Sequence, residues 1–322
     1  MYPTFQLFGP LSFPAYFTLL LFGFMLAIWL GWREQIRIGG DANKFLDLAL
    51  WMLIWGVVGA RILHVFADGH FWDYVYLCVD PTKTEGKPLW TKTGLQIPCV
   101  SDAQCLKQNY SICFEGRCHP GRDCLRVFKI WYGGLAYYGG FIAAVAYGMW
   151  FIRKHRLDFW KTCDIGGFGI ALGLVFGRLG CFFSGCCFGK TCAADVGLRF
   201  PRWSPAWWQH FEEMKAIGWT AKTSLPVHPT QLYSAFANLL IFAYLYLWLR
   251  KRKSFDGQVW WMFVVLYAIS RFVIEFFRND DRGVFFGGYL STSQLIGVPL
   301  IAAAIVFMLR LKRRQSSTAS AS

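Results

Sequence analysis

The sequence predicts an all-α polytopic membrane protein: about seven transmembrane helices, with one small disulfide-rich insert outside the cytoplasm. Three observations carry that expectation. Hydrophobic residues make up 55% of the 322 and charged residues only 16%, where a soluble domain carries about 25% charged residues; mean hydropathy is +0.35. Apolar runs recur along the whole chain, and about 20 apolar helical residues cross a bilayer. Six of the eleven cysteines fall in one polar stretch, residues 69–129.

The apolar runs lie near 13–32, 45–66, 133–152, 163–183, 230–249, 257–277 and 291–310. Lys and Arg total 33 against 19 acidic residues, a net charge of +14. A nucleic-acid binder gathers such charge on a polar domain. Here the basic residues follow apolar runs instead: Arg33 and Arg37, Arg153-Lys154-His155-Arg156, Arg250-Lys251-Arg252-Lys253, and Arg310 with Lys312-Arg313-Arg314. Cytoplasmic loops carry that bias. It puts the N-terminus outside, the C-terminus in the cytoplasm, and excludes nucleic acid as a partner. No cleavable signal peptide is expected, since no basic region precedes the first apolar run.

The second span contains Gly59-Ala60-Arg61-Ile62-Leu63-His64. The insert that follows, with Cys78, Cys99, Cys105, Cys113, Cys118 and Cys124, falls on the oxidising side where disulfides persist. Six cysteines allow fifteen pairings and the sequence does not choose among them. A zinc site is the rival, but no Cys-x-x-Cys knuckle is present. The insert reads as a docking or stabilising appendage.

The third span opens with Gly133-Gly134 and then Tyr137-Tyr138-Gly139-Gly140. Paired glycines there fit either an irregular backbone lining a cavity or tight helix packing with interfacial tyrosines. The fourth span runs into Gly177-Arg178-Leu179-Gly180-Cys181-Phe182-Phe183-Ser184-Gly185-Cys186-Cys187-Phe188-Gly189. Arg178 stands near its outer end with Cys181 one turn on, and the four glycines let a backbone or a ligand come close. The bland alternative is a packed helix end with Arg178 snorkelling to the interface.

Segment 190–229 holds Trp203, Trp207, Trp208 and Trp219, a pattern for an amphipathic lid or for interfacial anchors. It closes with His228-Pro229-Thr230-Gln231-Leu232-Tyr233, where the proline suits a first helical turn. The sixth span ends in Arg271, Glu275 and Arg278, which spacings of four and three put on one helical face; an internal Arg271–Glu275 pair is the structural explanation for them. The tail beyond Arg310 is basic, then Ser/Ala-rich, and is expected to be disordered.

Arg61, Arg178 and Arg271 are the costly residues. A central intramembrane arginine costs about 2.5–3.5 kcal/mol on insertion scales, so three cost up to about 10. One acidic partner does not neutralise three guanidinium groups, whereas an anion entering from the lipid does. The planar fork matches a pair of phosphate oxygens, making a phospholipid headgroup the natural ligand.

The same residues carry a resemblance. Gly9-Pro10 and Tyr16, Gly59-x-Arg61, Gly133-Gly134 with Gly139-Gly140, Gly177-Arg178-x-Gly180 with Gly189, His228-Pro229-x-Gln231-Leu232-Tyr233, and Arg271-Phe272-x-x-Glu275-Phe276-Phe277-Arg278 occur in this order. Together they resemble the motifs of the prolipoprotein diacylglyceryl transferases, seven-span enzymes of the bacterial inner membrane. The likeness covers nearly all of the chain outside the insert. It divides the chain into two spans (1–68), the Cys-rich insert (69–129), a transmembrane catalytic core (130–310) with the external segment 190–229, and a cytoplasmic tail (311–322). Three positions depart from the family pattern: Tyr138 replaces a histidine, Cys181 an asparagine and Cys186 a glutamate.

The resemblance implies transfer of the diacylglyceryl group of phosphatidylglycerol to the sulfur of a prolipoprotein lipobox cysteine. Phosphatidylglycerol, prolipoprotein signal peptides and membrane lipids are then the partners, and neither a cofactor nor a metal is expected. Arg178 and Arg271 are the implied catalytic residues for the departing phosphate, with Tyr138, His228 and Glu275 candidates for the proton transfer. Arg178, Arg61, Tyr16, Gly139, Gly140, Gly189 and Cys181 are the expected substrate-binding residues, Arg61 the most structural of them. Two alternatives stay open: a relative acting on a different lipid or acceptor, or a thiol-redox or metal-handling protein built on Cys181, Cys186 and Cys187.

Overall fold

In a computed structural model the described residues are 4–8, 11–90, 96–106, 110–129, 134–214, 221–279, 284–285 and 290–319. They form helices joined by short ribbons. The helices are α1 (Ala15–Arg37), α2 (Ala42–Phe66), α3 (Phe71–Val79), α4 (Asp102–Leu106), α5 (Tyr137–Lys154), α6 (Phe159–Ser184), α7 (Pro205–Met214), α8 (Thr230–Ala243), α9 (Arg250–Arg252), α10 (Gln258–Glu275) and α11 (Thr292–Ala319). Between α8 and α9 the helix runs on without a break through a π-helical stretch, Tyr244–Leu249. The strands pair only as two-stranded antiparallel ribbons, such as β1 (Thr4–Phe8) with β2 (Leu11–Pro14).

Among the described residues, six helices are long and apolar enough to cross a membrane: Ala15–Arg37, Ala42–Phe66, Phe159–Ser184, Thr230–Arg252, Gln258–Glu275 and Ser293–Ser317. These match six of the seven expected spans. The seventh, near 133–152, is the helix α5, but two tyrosines and two glycines at its start and Arg153-Lys154 at its end lower its hydropathy below that of the others. At the C-terminus α11 carries helix to Ala319, into the stretch expected to be disordered. Leu311, Lys312, Arg313, Arg314 and Gln315 are all good helix formers.

The chain divides into two compact units, residues 1–45 with 157–322, and residues 46–156. In the first, α1, α8 and α10 pack around α6, and α11 packs on α10. The core there is Leu30, Ile165, Phe168, Ala171, Leu172, Ile241, Leu245, Leu249, Val259 and Phe263. The buried carboxylate of Asp164 holds the start of α10, accepting hydrogen bonds from Lys253 Nζ (2.8 Å), the Gly257 amide (3.0 Å) and the Trp260 amide (3.1 Å). Glu34, also buried, pairs with both Arg37 and Arg250. Large apolar side chains such as Leu21, Phe22, Met25, Leu240 and Leu247 stay exposed on these helices, as faces turned to hydrocarbon must.

The described residues of segment 190–229, the expected external cap, share a small core in which Phe200, Ala206 and Val227 pack with Phe188. Trp207 is fully buried and donates from Nε1 to the Ala221 carbonyl (2.7 Å), so it is a core residue rather than an interfacial anchor. Trp203 remains exposed. Trp219, like Gly9, Pro10 and Gly133 of the motifs, lies outside the described residues.

In the second unit, α2 and α5 pack through their glycines: a Cβ built on Gly59 would lie 2.5 Å from the Gly139 carbonyl oxygen. Close helix packing is therefore what the Gly139-Gly140 pair does here. The insert is stapled by three disulfides, Cys78–Cys124, Cys99–Cys113 and Cys105–Cys118. Cys99, Cys105 and Cys118 lie close enough to hold a metal, yet each is paired in a disulfide, which removes the zinc reading of the insert.

Candidate active site

Arg61 stands on α2, 7% exposed. Its guanidinium donates from Nε to the Val127 carbonyl (2.7 Å), from Nη2 to that of Arg126 (2.7 Å) and from Nη1 to that of Gly134 (2.8 Å). It also lies 4.9 Å from the centre of the Tyr74 ring. The side chain thus fastens the returning end of the insert to α2. Tyr138, on the first turn of α5, is 72% exposed and belongs to this same unit.

The other arginines belong to the first unit. Arg271 pairs with Glu275 (2.7 Å) and donates to Ser293 Oγ (3.3 Å), so the internal pair expected from their spacing forms. Arg278 lies just past the α-helix that carries them. The helix α10 stops at Glu275 and a tight turn follows, with the Arg278 amide bonded to the Glu275 carbonyl (3.2 Å). That turn carries the buried Arg278 into a β-bridge with Gly189. Arg178, half-buried on α6, has no hydrogen-bond or ion-pair partner among the described residues.

The end of α6 explains why so many of the sequence's motifs meet. Gly185 is left-handed (φ +70°), and the amides of Gly185 and Cys186 bond back to the carbonyls of Phe182 and Cys181 (both 3.1 Å), a helix stop that favours glycine. Beyond it, residues 189–192 are laced on both sides. The Gly189 amide donates to the His228 carbonyl (2.9 Å), the His228 amide to that of Lys190 (3.0 Å) and the Lys190 amide to that of Phe277 (2.8 Å). A Cβ on Gly189 would lie 2.7 Å from Thr230 Cγ2 and 2.9 Å from His228 Cβ, so only glycine fits this crossing. Similarly, a Cβ on Gly180 would lie 3.0 Å from the Tyr16 ring, which lets the start of α1 lie against α6.

Side chains collect around that turn. Tyr16 interacts electrostatically with Arg178, Cys181, Cys186 and Cys187. Hydrogen bonds from the Cys181 and Cys186 thiols hold the Cys187 thiol far below the usual thiol range, and Arg178 and Arg278 act in the same sense. His228 Nδ1 lies 3.3 Å from the Tyr233 hydroxyl and its ring stands edge-on to Phe277. Sequence reasoning quoted Arg278, Thr230 and Gln231 within motifs but gave them no place in the site: a turn follows Glu275, and Thr230 and Gln231 clamp the cysteine turn. Chemically, the arrangement offers an anion a guanidinium with no hydrogen-bond or ion-pair partner among the described residues, beside a cluster of thiols and an imidazole near the helix end.

Residues 3–94 and 107–310 match the family profile described as prolipoprotein diacylglyceryl transferase. The chain belongs to that family. Among curated relatives, the phosphatidylglycerol–prolipoprotein diacylglyceryl transferase of Stenotrophomonas maltophilia is 29% identical over 316 residues, covering 95% of this chain and 90% of the relative. The protein of that name from Thermus thermophilus is 28% identical, covering 96% and 98%, and that of Geobacillus kaustophilus is 28% identical, covering 92% and 87%. Among the family's matched residues, the first unit gathers Tyr16, Arg178, Cys181, Gly189 and His228 around the end of α6, while Arg61, Tyr138, Gly139 and Gly140 belong to the second.

Proposed function

We propose that this chain moves the diacylglyceryl group of phosphatidylglycerol onto the thiol of a lipobox cysteine in prolipoproteins. Sulfur forms a bond to the terminal glyceryl carbon, the bond from that carbon to the phosphate oxygen breaks, and glycerol phosphate departs with the electron pair. The observation that carries the reading is Arg178. It is an arginine on an apolar helix whose guanidinium meets no protein acceptor among the described residues. An anion is the partner that such a group requires, and a planar fork suits two phosphate oxygens.

Charge grows on the departing phosphate, so its stabilisation is the leading catalytic effect. Arg178 supplies it, and Arg271, already shared with Glu275, adds attraction from its own helix. The attacking thiol has an unperturbed pKa of about 8.5, so a base adds a further factor of about 10²–10⁴. Of the three candidates His228 is favoured. Glu275 is held by Arg271, and Tyr138 is 72% exposed and belongs to the second unit. Tyr16, Cys181 and Gly189 are assigned to the headgroup side of the site, and Gly139 and Gly140 to holding α5 against α2.

The distribution of basic residues supports an inner-membrane orientation with the N-terminus outside and the C-terminus in the cytoplasm. The stretch 69–129 is then an extracytoplasmic appendage on a transmembrane core. The deciding experiment depletes a host of its own transferase, supplies this chain and follows lipidation of a reporter lipoprotein. Restored lipidation that depends on Arg178 is the expected result; abundant, membrane-inserted protein with no lipidation overturns the reading.

A further inference from the structure

Eleven cysteines divide into six that are disulfide-bonded and five that are free: Cys163, Cys181, Cys186, Cys187 and Cys192. Three of the free ones stand together. The sulfur atoms of Cys181, Cys186 and Cys187 all lie within 4.8 Å of one another. Their grouping is built by the backbone. Cys181 occupies the last turn of α6, left-handed Gly185 reverses the chain, and Cys187 is itself left-handed (φ +59°). A non-glycine residue rarely adopts that region, which is strained for it.

Buried side chains hold the strained turn in place. Gln231 Nε2 donates to the Cys186 carbonyl (2.8 Å) and Thr230 Oγ1 to the Cys187 carbonyl (2.9 Å). Both side chains are fully buried, at 0% exposure. Two successive carbonyls, each fixed from the first turn of α8, leave the two cysteines little freedom except rotation of their side chains. A strained residue kept by such a clamp is where function is to be sought.

We propose that Cys181, Cys186 and Cys187 form a three-thiolate site for a soft d¹⁰ cation, Zn(II) or Cu(I). Metal–sulfur bonds of about 2.3 Å put three sulfurs around one ion about 4 Å apart, a spacing within the present limits of the cluster. Thiolate donors select soft cations over Mg²⁺ or Ca²⁺. The charge also suits: three thiolates around Zn(II) leave one negative charge, and around Cu(I) two. The positive charges of Arg178 and Arg278 act on this cluster. Binding requires no electron transfer; each metal–sulfur bond replaces an S–H bond wherever the thiol is still protonated, and that proton goes to water.

The test uses the full chain, purified in nanodiscs under inert gas with the insert's disulfides intact. Zn²⁺ is titrated against a chromophoric chelator and Cu⁺ against a cuprous chelator in separate arms, so the preferred ion is identified directly. Bound metal is counted after desalting, and alkylation of each free cysteine is mapped by mass spectrometry. The expected result is one ion per chain, with Cys181, Cys186 and Cys187 protected while Cys163 and Cys192 react as before. Cys187→Ser is expected to weaken binding by at least about 100-fold, and Gln231→Leu, which loosens the clamp, by about 10-fold. Should Cys187→Ser fail to fold, the wild-type protection pattern and stoichiometry still decide. Less than one ion with unchanged alkylation of the three thiols overturns the proposal, and so does a disulfide joining any two of them in the protein as purified.

Discussion

Arg61 and Arg178 look alike in sequence, each an arginine in an apolar helix close to a glycine, and the structure gives them opposite environments. Arg61 is closed off by three backbone carbonyls of the second unit. Arg178, in the first unit, meets none among the described residues. The lesson is that the cost of an arginine in a membrane helix can be met in two ways, by folding the chain back onto it or by reserving it for a ligand. Hydropathy does not separate the two cases; the course of the neighbouring backbone does.

Substitutions can break that comparison. The largest effect is expected for Arg178→Lys, which keeps the charge and loses the fork. Transfer from phosphatidylglycerol to a lipobox peptide should fall about 10²–10³-fold at equal membrane abundance. Near-normal transfer in that variant would remove Arg178 from the phosphate. Arg61→Ala comes next, and its signature is different. Leaving three inward-facing carbonyls without a donor should cost about 3 kcal/mol or more, read as a lower Tm and a lower yield of folded protein. A raised KM with Tm intact would instead make Arg61 a ligand-binding residue like Arg178.

A third measurement sharpens the contrast with a titratable group. His210 is 1% exposed, its Nδ1 accepts from the Leu225 amide (3.2 Å), and burial pushes its pKa below the usual histidine value. Because the folded-state pKa is the lower one, this contribution to stability is complete above about pH 6.5 and is lost as pH falls through the folded-state value. Proteolysis of the cap at 190–229 should therefore accelerate on acidification, and His210→Gln should flatten the dependence; a cap equally resistant across that range would refute it. The smallest effect is expected for Tyr138→Phe, less than about threefold in transfer, because the side chain is 72% exposed and a base must be held within hydrogen-bond reach of the proton it takes. Loss of transfer in that variant would give the tyrosine the role assigned to His228.

Much of this was legible in the residues. The apolar runs gave six spans and the seventh helix, and the spacing of Arg271 and Glu275 gave their ion pair. Arg278 was read as part of the helix, whereas the helix ends at Glu275 and a tight turn brings Arg278 against Gly189. The disulfide pairing could not be read, since it depends on how the short ribbons of the insert fold back. Trp207 resembled an interfacial anchor because composition does not reveal that Phe200 and Ala206 surround a core beside it. The clamp on the cysteine turn was invisible for a similar reason: Thr230 and Gln231 act on carbonyls more than forty positions earlier in the chain.

The π-helical stretch Tyr244–Leu249 has a consequence for how this membrane wall tolerates insertion and deletion. There the Arg250 amide reaches back to the Leu245 carbonyl, one residue further than in an α-helix. Rewinding the stretch as regular α-helix with no residue removed would rotate everything beyond it by about 100°. The apolar half from Thr230 to Ala243 would keep its register against α6, while Arg250 would swing off Glu34. The stretch thus acts as a phase shifter along one continuous rod, letting the lipid-embedded half and the ionic latch at its foot each keep their own alignment.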